Sequence, residues 1–167
     1  MQAFLNTAVK AARKAGEIAV RAQKRLDELE VREKARNECV TQVDQAAEQA
    51  IIATIRERYP DHAILAEESG ASGAGEFTWI IDPLDGTTNY VHGFPVYAVS
   101  IALRRRDQLE VGVVYDPLRQ ELFTAIRGSG VQVDGRRVRV SGRRELDGAL
   151  LGTGFPYRSN TRWLTPY

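Results

Sequence analysis

Leu5, Ala8, Ala12, Ala15, Ala19, Ala22 and Leu26 recur at alternating spacings of three and four, the period that lines one face of a helix. Lys10, Arg13, Lys14, Glu17 and Arg21 fall mostly on the other face. The pattern predicts a long helix over residues 3–29, and its small side chains would let a partner element come close. A second helix is predicted over 44–58, with Ala47, Ala50, Ile51, Thr54 and Ile55 inward. It stops at Tyr59-Pro60, because the residue before a proline avoids the α region. Beyond that point the period changes. Short apolar runs at 63–66 and 77–81 read as strands, with the Gly/Ser/Ala-rich stretch 69–75 between them expected to be a mobile loop. Strands are predicted at 96–103 and 109–115, joined by the charged turn 104–108, and again at 121–126. Two more, at 131–133 and 138–140, flank Asp134-Gly135, a hairpin turn signal, and a last one begins at 149–151. Helices come first and mostly antiparallel strands follow, so the class is α+β. No internal repeat or low-complexity segment interrupts this order.

The length of 167 residues fits one domain with a real core. A net charge of +1 gives no global field toward nucleic acid or an anionic membrane. The single cysteine, Cys39, has no partner for an intrachain disulfide and fits a reducing compartment. No apolar stretch approaches the ~20 residues that span a bilayer, and residues 1–14 are basic without the continuous apolar segment of a secretory signal. A soluble, cytoplasmic protein is expected.

The chemistry concentrates in Trp79-Ile80-Ile81-Asp82-Pro83-Leu84-Asp85-Gly86-Thr87-Thr88-Asn89. An apolar strand ends there in two carboxylates held three residues apart by a proline. Pro83 fixes its own φ and pushes Asp82 toward an extended conformation. Asp85 can then face the same point in space, and Gly86 permits a tight turn that aims the amides of Gly86 and Thr87 at an anion. A second acidic pair, Glu67-Glu68, ends the run Ala63-Ile64-Leu65-Ala66. Carboxylates brought together repel: at ~4 Å and an effective dielectric of ~20 each pair costs about 4 kcal/mol. A hard cation such as Mg²⁺, which takes oxygen ligands and keeps several waters, reverses that sign. Taken alone, Asp-Pro-Leu-Asp-Gly is read equally well as a turn. Asp116-Pro117 and Asp134-Gly135 are read as turns, and the ligand spacing of an EF-hand is absent.

Glu67-Glu68-Ser69, then Trp79 through Tyr90 and Gly93-Phe94-Pro95, closely resemble the inositol monophosphatase family. The likeness continues through Val99-Ser100-Ile101-Ala102, Gly112-Val113-Val114-Tyr115-Asp116-Pro117, Glu121-Leu122-Phe123-Thr124-Ala125 and Gly152-Thr153-Gly154-Phe155-Pro156. Upstream, Val40-Thr41-Gln42-Val43-Asp44 is similar to the family's Val-Thr-x-x-Asp element. The resemblance implies a layered α/β sandwich of the inositol monophosphatase and fructose-1,6-bisphosphatase type, of which residues 1–167 would be the N-terminal portion. It implies two or three Mg²⁺ ions. Glu67 and Asp82, with the backbone carbonyl of Leu84, would bind the first; Asp82 and Asp85 would bind a second; Glu67 would share a third. Thr87, hydrogen-bonded toward Asp44, would orient and help deprotonate a water, so that Thr87, Asp44 and Glu67 form the catalytic set. The amides of Gly86 and Thr87 would hold phosphate oxygens, Asp85 would also touch a substrate hydroxyl, and Glu68 would support the site from behind. The implied reaction is lithium-sensitive, Mg²⁺-dependent hydrolysis of inositol 1-phosphate or a similar polyol or sugar phosphate, without a covalent phosphoenzyme. Nucleotide bisphosphates, fructose bisphosphate and histidinol phosphate are the near rivals. A homodimer is implied as well, and a role in transcription complexes or RNA binding is the alternative of a different class.

The chain departs from the family in one respect. The later Trp-Asp-x-Ala/Gly-Gly motif, with its further metal ligand, is missing: Trp79 precedes Ile80 and Trp163 precedes Leu164. A truncated second half is therefore expected, with one carboxylate fewer for the second metal. Lys34 and Arg36 read as a polar loop within reach of a phosphate, His62 and His92 as structural, and Cys39 as a small core residue. Arg136, Arg137, Arg139, Arg143 and Arg144, and likewise Arg104–106, read as solvated strand edges guarded by charge. No zinc site and no Ser-His-Asp arrangement is seen.

Overall fold

The computed structural model describes residues 1–26, 31–35 and 38–152, with the backbone alone for 31–40. Helix α1 covers Gln2–Gln23 and buries Thr7, Ala8, Ala11, Ala12, Ala15, Gly16 and Ala19. These small residues do what their size allows: a Cβ added at Gly16 would lie 2.8 Å from Pro117 Cβ and 2.8 Å from the Tyr115 ring. The helix ends earlier than the stripe predicts, since Gln23 is its last residue and Lys24 its C-cap; residues 27–30 lie outside the described part.

Residues 31–41, expected as a loop around Lys34, instead carry strands β1 (Val31–Ala35) and β2 (Glu38–Thr41), paired antiparallel as a separate two-stranded sheet. Backbone pairing overrides the polar composition here. Lys34 belongs to β1 and Cys39 to β2, whereas Arg36 falls outside the described residues.

Helix α2 spans Gln42–Arg56, two residues earlier at each end than the pattern predicts. Its start is fixed by a capping box that apolar periodicity does not register. Thr41 Oγ1 accepts from Val43 N at 3.1 Å, and Asp44 Oδ2 accepts from Thr41 N at 2.8 Å. Such a cap satisfies N–H groups that a helix end otherwise leaves bare, a contribution of about 1 kcal/mol. Ala47, Ile51, Thr54 and Ile55 face inward as expected, with Ala50 half-buried.

The main sheet has eight strands: β3 (Ala63–Ala66), β4 (Gly70–Ser72), β5 (Phe77–Asp85), β6 (Ala98–Arg105), β7 (Gln108–Asp116), β8 (Glu121–Ile126), β9 (Gly130–Val133) and β10 (Arg136–Val138). Their spatial order is β10-β9-β8-β7-β6-β5-β3-β4. Every neighbouring pair is antiparallel except β3 and β5. The stretch expected to be a mobile loop thus contains β4, whose Gly70 takes φ +75 to turn the chain back along β3. The final hairpin turns at Asp134-Gly135, both with positive φ, and this two-residue turn pairs Val133 with Arg136. Strand β10 therefore lies at 136–138, two residues before the predicted place, and Val140 is left exposed. No strand forms at 149–151, where Leu150 and Leu151 are exposed and pair with no strand among the described residues. Residues 153–167, including Gly154-Phe155-Pro156 and Trp163, lie outside the described part.

Helices α1 and α2 pack on each other and on one face of this sheet. Trp79, Ile81, Val99, Ile101, Leu103, Val111, Val113 and Tyr115 form that face, with Ile51, Ile55 and the alanines of α1 above them; each large side chain so buried contributes about 1.5–3 kcal/mol. The opposite face carries Leu65, Val114, Phe123, Val131 and Val138, all exposed.

At the end of the sheet away from Asp82, His62 lies between the rings of Tyr59 and Phe77, 4.9 and 5.0 Å centroid to centroid and nearly parallel to both. Its Nδ1 accepts from Trp79 Nε1 at 3.1 Å. This is the structural role expected for it. Burial lowers the His62 pKa from 6.5, with Asp61 opposing, because the charged ring would lose both its solvation and the acceptor that Trp79 uses. A folded pKa below the unfolded one means that the stabilisation is complete above pH 6.5 and fades as pH falls toward the lowered value. In urea unfolding the midpoint of this chain, taken relative to that of His62→Phe, should therefore fall between pH 8 and pH 5; an unchanged difference would remove His62 from the account.

Candidate active site

The parallel pairing of β3 with β5 builds the site. Ala66 is in register with Ile81, so the next residues along, Glu67 just past β3 and Asp82 still within β5, lie side by side, about 4.8 Å apart by strand spacing. The Glu67 amide donates to Ile81 O at 3.1 Å, prolonging the ladder by one step. Beyond Asp82 the register against β6 shifts before Asp85 pairs with Ala98. Pro83 sits in this irregularity, where its missing N–H costs no ladder bond. The shift swings Asp85 back toward Asp82.

The electrostatics follow from this crowding. Asp82 holds its proton up to about pH 7. Burial is the largest cause, then the charge of Glu67 and a side-chain hydrogen bond with it, then the charge of Asp85; the Leu84 amide, donating to Asp82 Oδ1 at 3.2 Å, pulls the other way. Two carboxyls that share a proton stand where a cation would otherwise neutralise them. Asp82 is thus drawn together with Glu67 and senses Asp85. Even so, among the described residues no three His, Cys, Asp or Glu side chains form a ready-made metal cage. The donors are all oxygens, two or three of them carboxylate and one the Leu84 carbonyl, which is the set Mg²⁺ takes when waters complete its shell. The residues present fit that group in chemistry.

Helix α3 (Thr87–Val91) follows at once. Its N-cap, Gly86, has φ +96, and a Cβ there would lie 3.0 Å from Val96 O and 3.3 Å from Tyr97 Cα. Both the left-handed backbone and the lack of space demand glycine. The turn places the amides of Gly86 and Thr87 at a helix start, where N–H groups have no intrahelical acceptor. Thr87 Oγ1 lies 2.9 Å from Asp44 Oδ1 and 3.0 Å from the Leu84 carbonyl oxygen. It has one proton for two acceptors, and the carboxylate is the stronger. The other oxygen of Asp44 accepts from both the amide and the hydroxyl of Thr41, at 2.8 and 2.6 Å. Asp44 is 1 % exposed, so its orientation is set entirely by these partners.

Three residues to which no role was assigned from sequence hold this arrangement. Tyr90, fully buried on α3, donates to Ala19 O at 2.7 Å and packs edge-on against Tyr97, 5.0 Å away. Tyr97 in turn donates to Gln23 Oε1 at 2.9 Å. Helix α1 is thereby tied to the loop after Asp85. Glu48, 3 % exposed on α2, accepts from the amides of Glu68 and Ser69 at 2.7 and 3.0 Å. A tyrosine five residues beyond Asp85 and a glutamate four beyond Asp44 were visible, yet neither position stands out without knowing which elements meet. His92, in the rim, places Nδ1 2.8 Å from Thr88 O, a local contact. Asp116 accepts from the amides of Leu118 and Arg119 at 2.9 Å each and is a turn, as expected.

The pattern that describes the inositol monophosphatase family matches residues 1–165. The chain belongs to that family. Nus factor SuhB of Pseudomonas aeruginosa is 57% identical over 164 residues, which are 96% of this chain and 60% of that protein. The crystal structure of the extragenic suppressor protein suhB from Bartonella henselae superposes with a TM-score of 0.84 at 44% identity, over 86% of this chain and 57% of that one. The Thermotoga maritima IMPase does so with a TM-score of 0.77 at 37% identity, over 85% and 55%. The fold is therefore the α+β fold of this family, and the chain spans 60% of the length of the curated relative it matches. No helix among the described residues is long and apolar enough to cross a membrane.

Gly86 gives a test that depends on geometry alone. Gly86→Ala should lower stability by about 1–2 kcal/mol for the left-handed backbone, with more added by the 3.0 Å contact to Val96 O. The measurement is urea unfolding, and an unchanged midpoint would mean that the turn is not held as described.

Proposed function

We propose that this site hydrolyses a phosphate monoester with Mg²⁺, the substrate being inositol 1-phosphate or a similar polyol phosphate. The observation that carries the reading is the placement of Glu67 beside Asp82 by the register of β3 against β5, next to the Thr87–Asp44 hydrogen bond. Membership of the inositol monophosphatase family supports it. Glu67, Asp82, the Leu84 carbonyl and Asp85 would hold the ions. When bound, Mg²⁺ would lower the pKa of a water and neutralise charge on the phosphate and leaving oxygens.

The chain's own groups supply the rest. A water resting against Thr87 Oγ1 would pass a proton to that oxygen while the hydroxyl proton moves to Asp44 Oδ1, 2.9 Å away. Thr41 keeps Asp44 from rotating out of that line. The amides of Gly86 and Thr87 would hold two phosphate oxygens and fix the direction of attack. Asp85, the more exposed carboxylate of the pair in this strand, would meet a substrate hydroxyl.

A second reading rests on the relatives' name, Nus factor SuhB, and on the exposed arginines 136, 137, 139, 143 and 144. On it, the chain binds RNA or a transcription complex through charge. One variant separates the two. Loss of an outer-shell group beside a metal typically costs about 10–100-fold. Asp82→Asn, which removes a direct ligand, should therefore lower Mg²⁺-dependent phosphate release from inositol 1-phosphate by at least about 100-fold, with an unchanged far-UV circular dichroism spectrum. Undiminished release would overturn the hydrolytic reading, while salt-sensitive RNA binding that persists in Asp82→Asn would favour the second.

A further inference from the structure

Helix α2 carries two buried carboxylates one turn apart, Asp44 and Glu48. Side chains at i and i+4 stand on one face with Cβ atoms about 6 Å apart. Each reaches a different part of the site. Asp44 holds the hydroxyl of Thr87, after the end of β5. Glu48 holds the two amides that follow Glu67, after the end of β3, with Oε2 on Glu68 N at 2.7 Å and Oε1 on Ser69 N at 3.0 Å.

We propose that Glu48 is a positioning residue for the cation site, fixing the backbone after Glu67 so that the Glu67 carboxylate stays aimed at Asp82. The inference rests on the metal-site reading given above. Glu68 is half-buried and Ser69 exposed, so water could reach these amides in part. A carboxylate that is 3 % exposed is a costly acceptor for groups that solvent can reach. Its advantage is placement. With Glu67 N on Ile81 O at 3.1 Å, the amides of residues 67, 68 and 69 are all anchored, the first to β5 and the next two to α2. Glu67 is thus pinned on both sides, and the helix that pins it is the one that orients Thr87. The separation between the acidic half and the hydroxyl half of the site is set by a single turn of α2.

The test uses the full 167-residue chain with Mn²⁺ as the probe. Binding is measured by isothermal titration and by the loss of the free-ion paramagnetic resonance signal, alongside thermal midpoints and hydrogen exchange at the Glu68 and Ser69 amides. Glu48→Gln keeps the length but offers one acceptor oxygen in place of two. It should weaken Mn²⁺ binding tenfold or more and speed exchange at those two amides, leaving the protection of β6 and β7 unchanged. Glu48→Asp, which keeps the charge but is too short to span both amides, should fall between wild type and Glu48→Gln, and it answers the question if Glu48→Gln does not fold. Wild-type Mn²⁺ affinity in folded variants with lowered thermal midpoints would make Glu48 merely structural and overturn the proposal. Failure of the unmodified chain itself to bind Mn²⁺ would overturn the metal-site reading, and this inference with it.

Discussion

The site depends on one pairing, the parallel alignment of β3 with β5. Every other contact in the eight-stranded sheet is antiparallel, and an antiparallel neighbour would bring the start of one strand beside the end of the other. A parallel pair runs both strands the same way, so Glu67, just past the end of β3, comes level with Asp82 on β5. The register Ala66 to Ile81 decides which residues emerge, and both are acidic. A slip of one residue would reverse every side chain on β3, exposing Ile64 and Ala66, which are 1 % and 5 % exposed. The core therefore fixes the register, and the register brings two like charges together at a cost the core has to offset.

That cost is visible in Asp82, which keeps a proton to about pH 7 because Glu67 and Asp85 crowd it in a partly buried place. A neutral surface of the same shape would be more stable. Helix α2 has the compensating role. Its capping box ties its first turn to Thr41 and uses Asp44 for both the cap and the Thr87 hydroxyl. A single carboxylate joins helix stability to the geometry of the candidate catalytic hydroxyl, so the helix cannot shift without moving Thr87. From the other side, Tyr90 and Tyr97 anchor the turn after Asp85 to α1. The acidic turn is gripped by both helices, which is how its repulsion is held without splaying.

Local patterns carried most of the fold in the sequence. The alanine stripe of α1, the apolar face of α2 and the alternation in β6 through β8 depend on nearest neighbours and on burial, and each was legible. Features set by pairing across distance were not. Strand β4 has a loop composition and forms because Gly70 turns it against β3. Strands β1 and β2 are polar and rest on backbone bonds to each other. At 149–151, apolar character predicted a strand, and among the described residues no strand pairs with it. In the site, Asp82, Asp85, Gly86 and Thr87 stood out because proline and glycine punctuate them. Glu48 did not, because a buried glutamate on an amphipathic helix looks like a solvated one until the loop it holds is known.

The chain spans 60% of the curated relative from Pseudomonas aeruginosa, and the face of the sheet opposite the helices carries exposed apolar positions. The acidic site is different in kind. Asp44, Glu48, Glu67, Asp82, Asp85 and Thr87 all fall within 44 residues of chain, on or next to α2, β3, β5 and α3, and the contacts described for them reach only as far as α1 and β6. On the metal-site reading these contacts would serve cation binding, whereas substrate selection and turnover would also need walls around the phosphate's alcohol. The two properties would therefore separate: a chain with this half of the fold would hold Mg²⁺ between Glu67 and Asp82 whether or not it discriminates among phosphate esters.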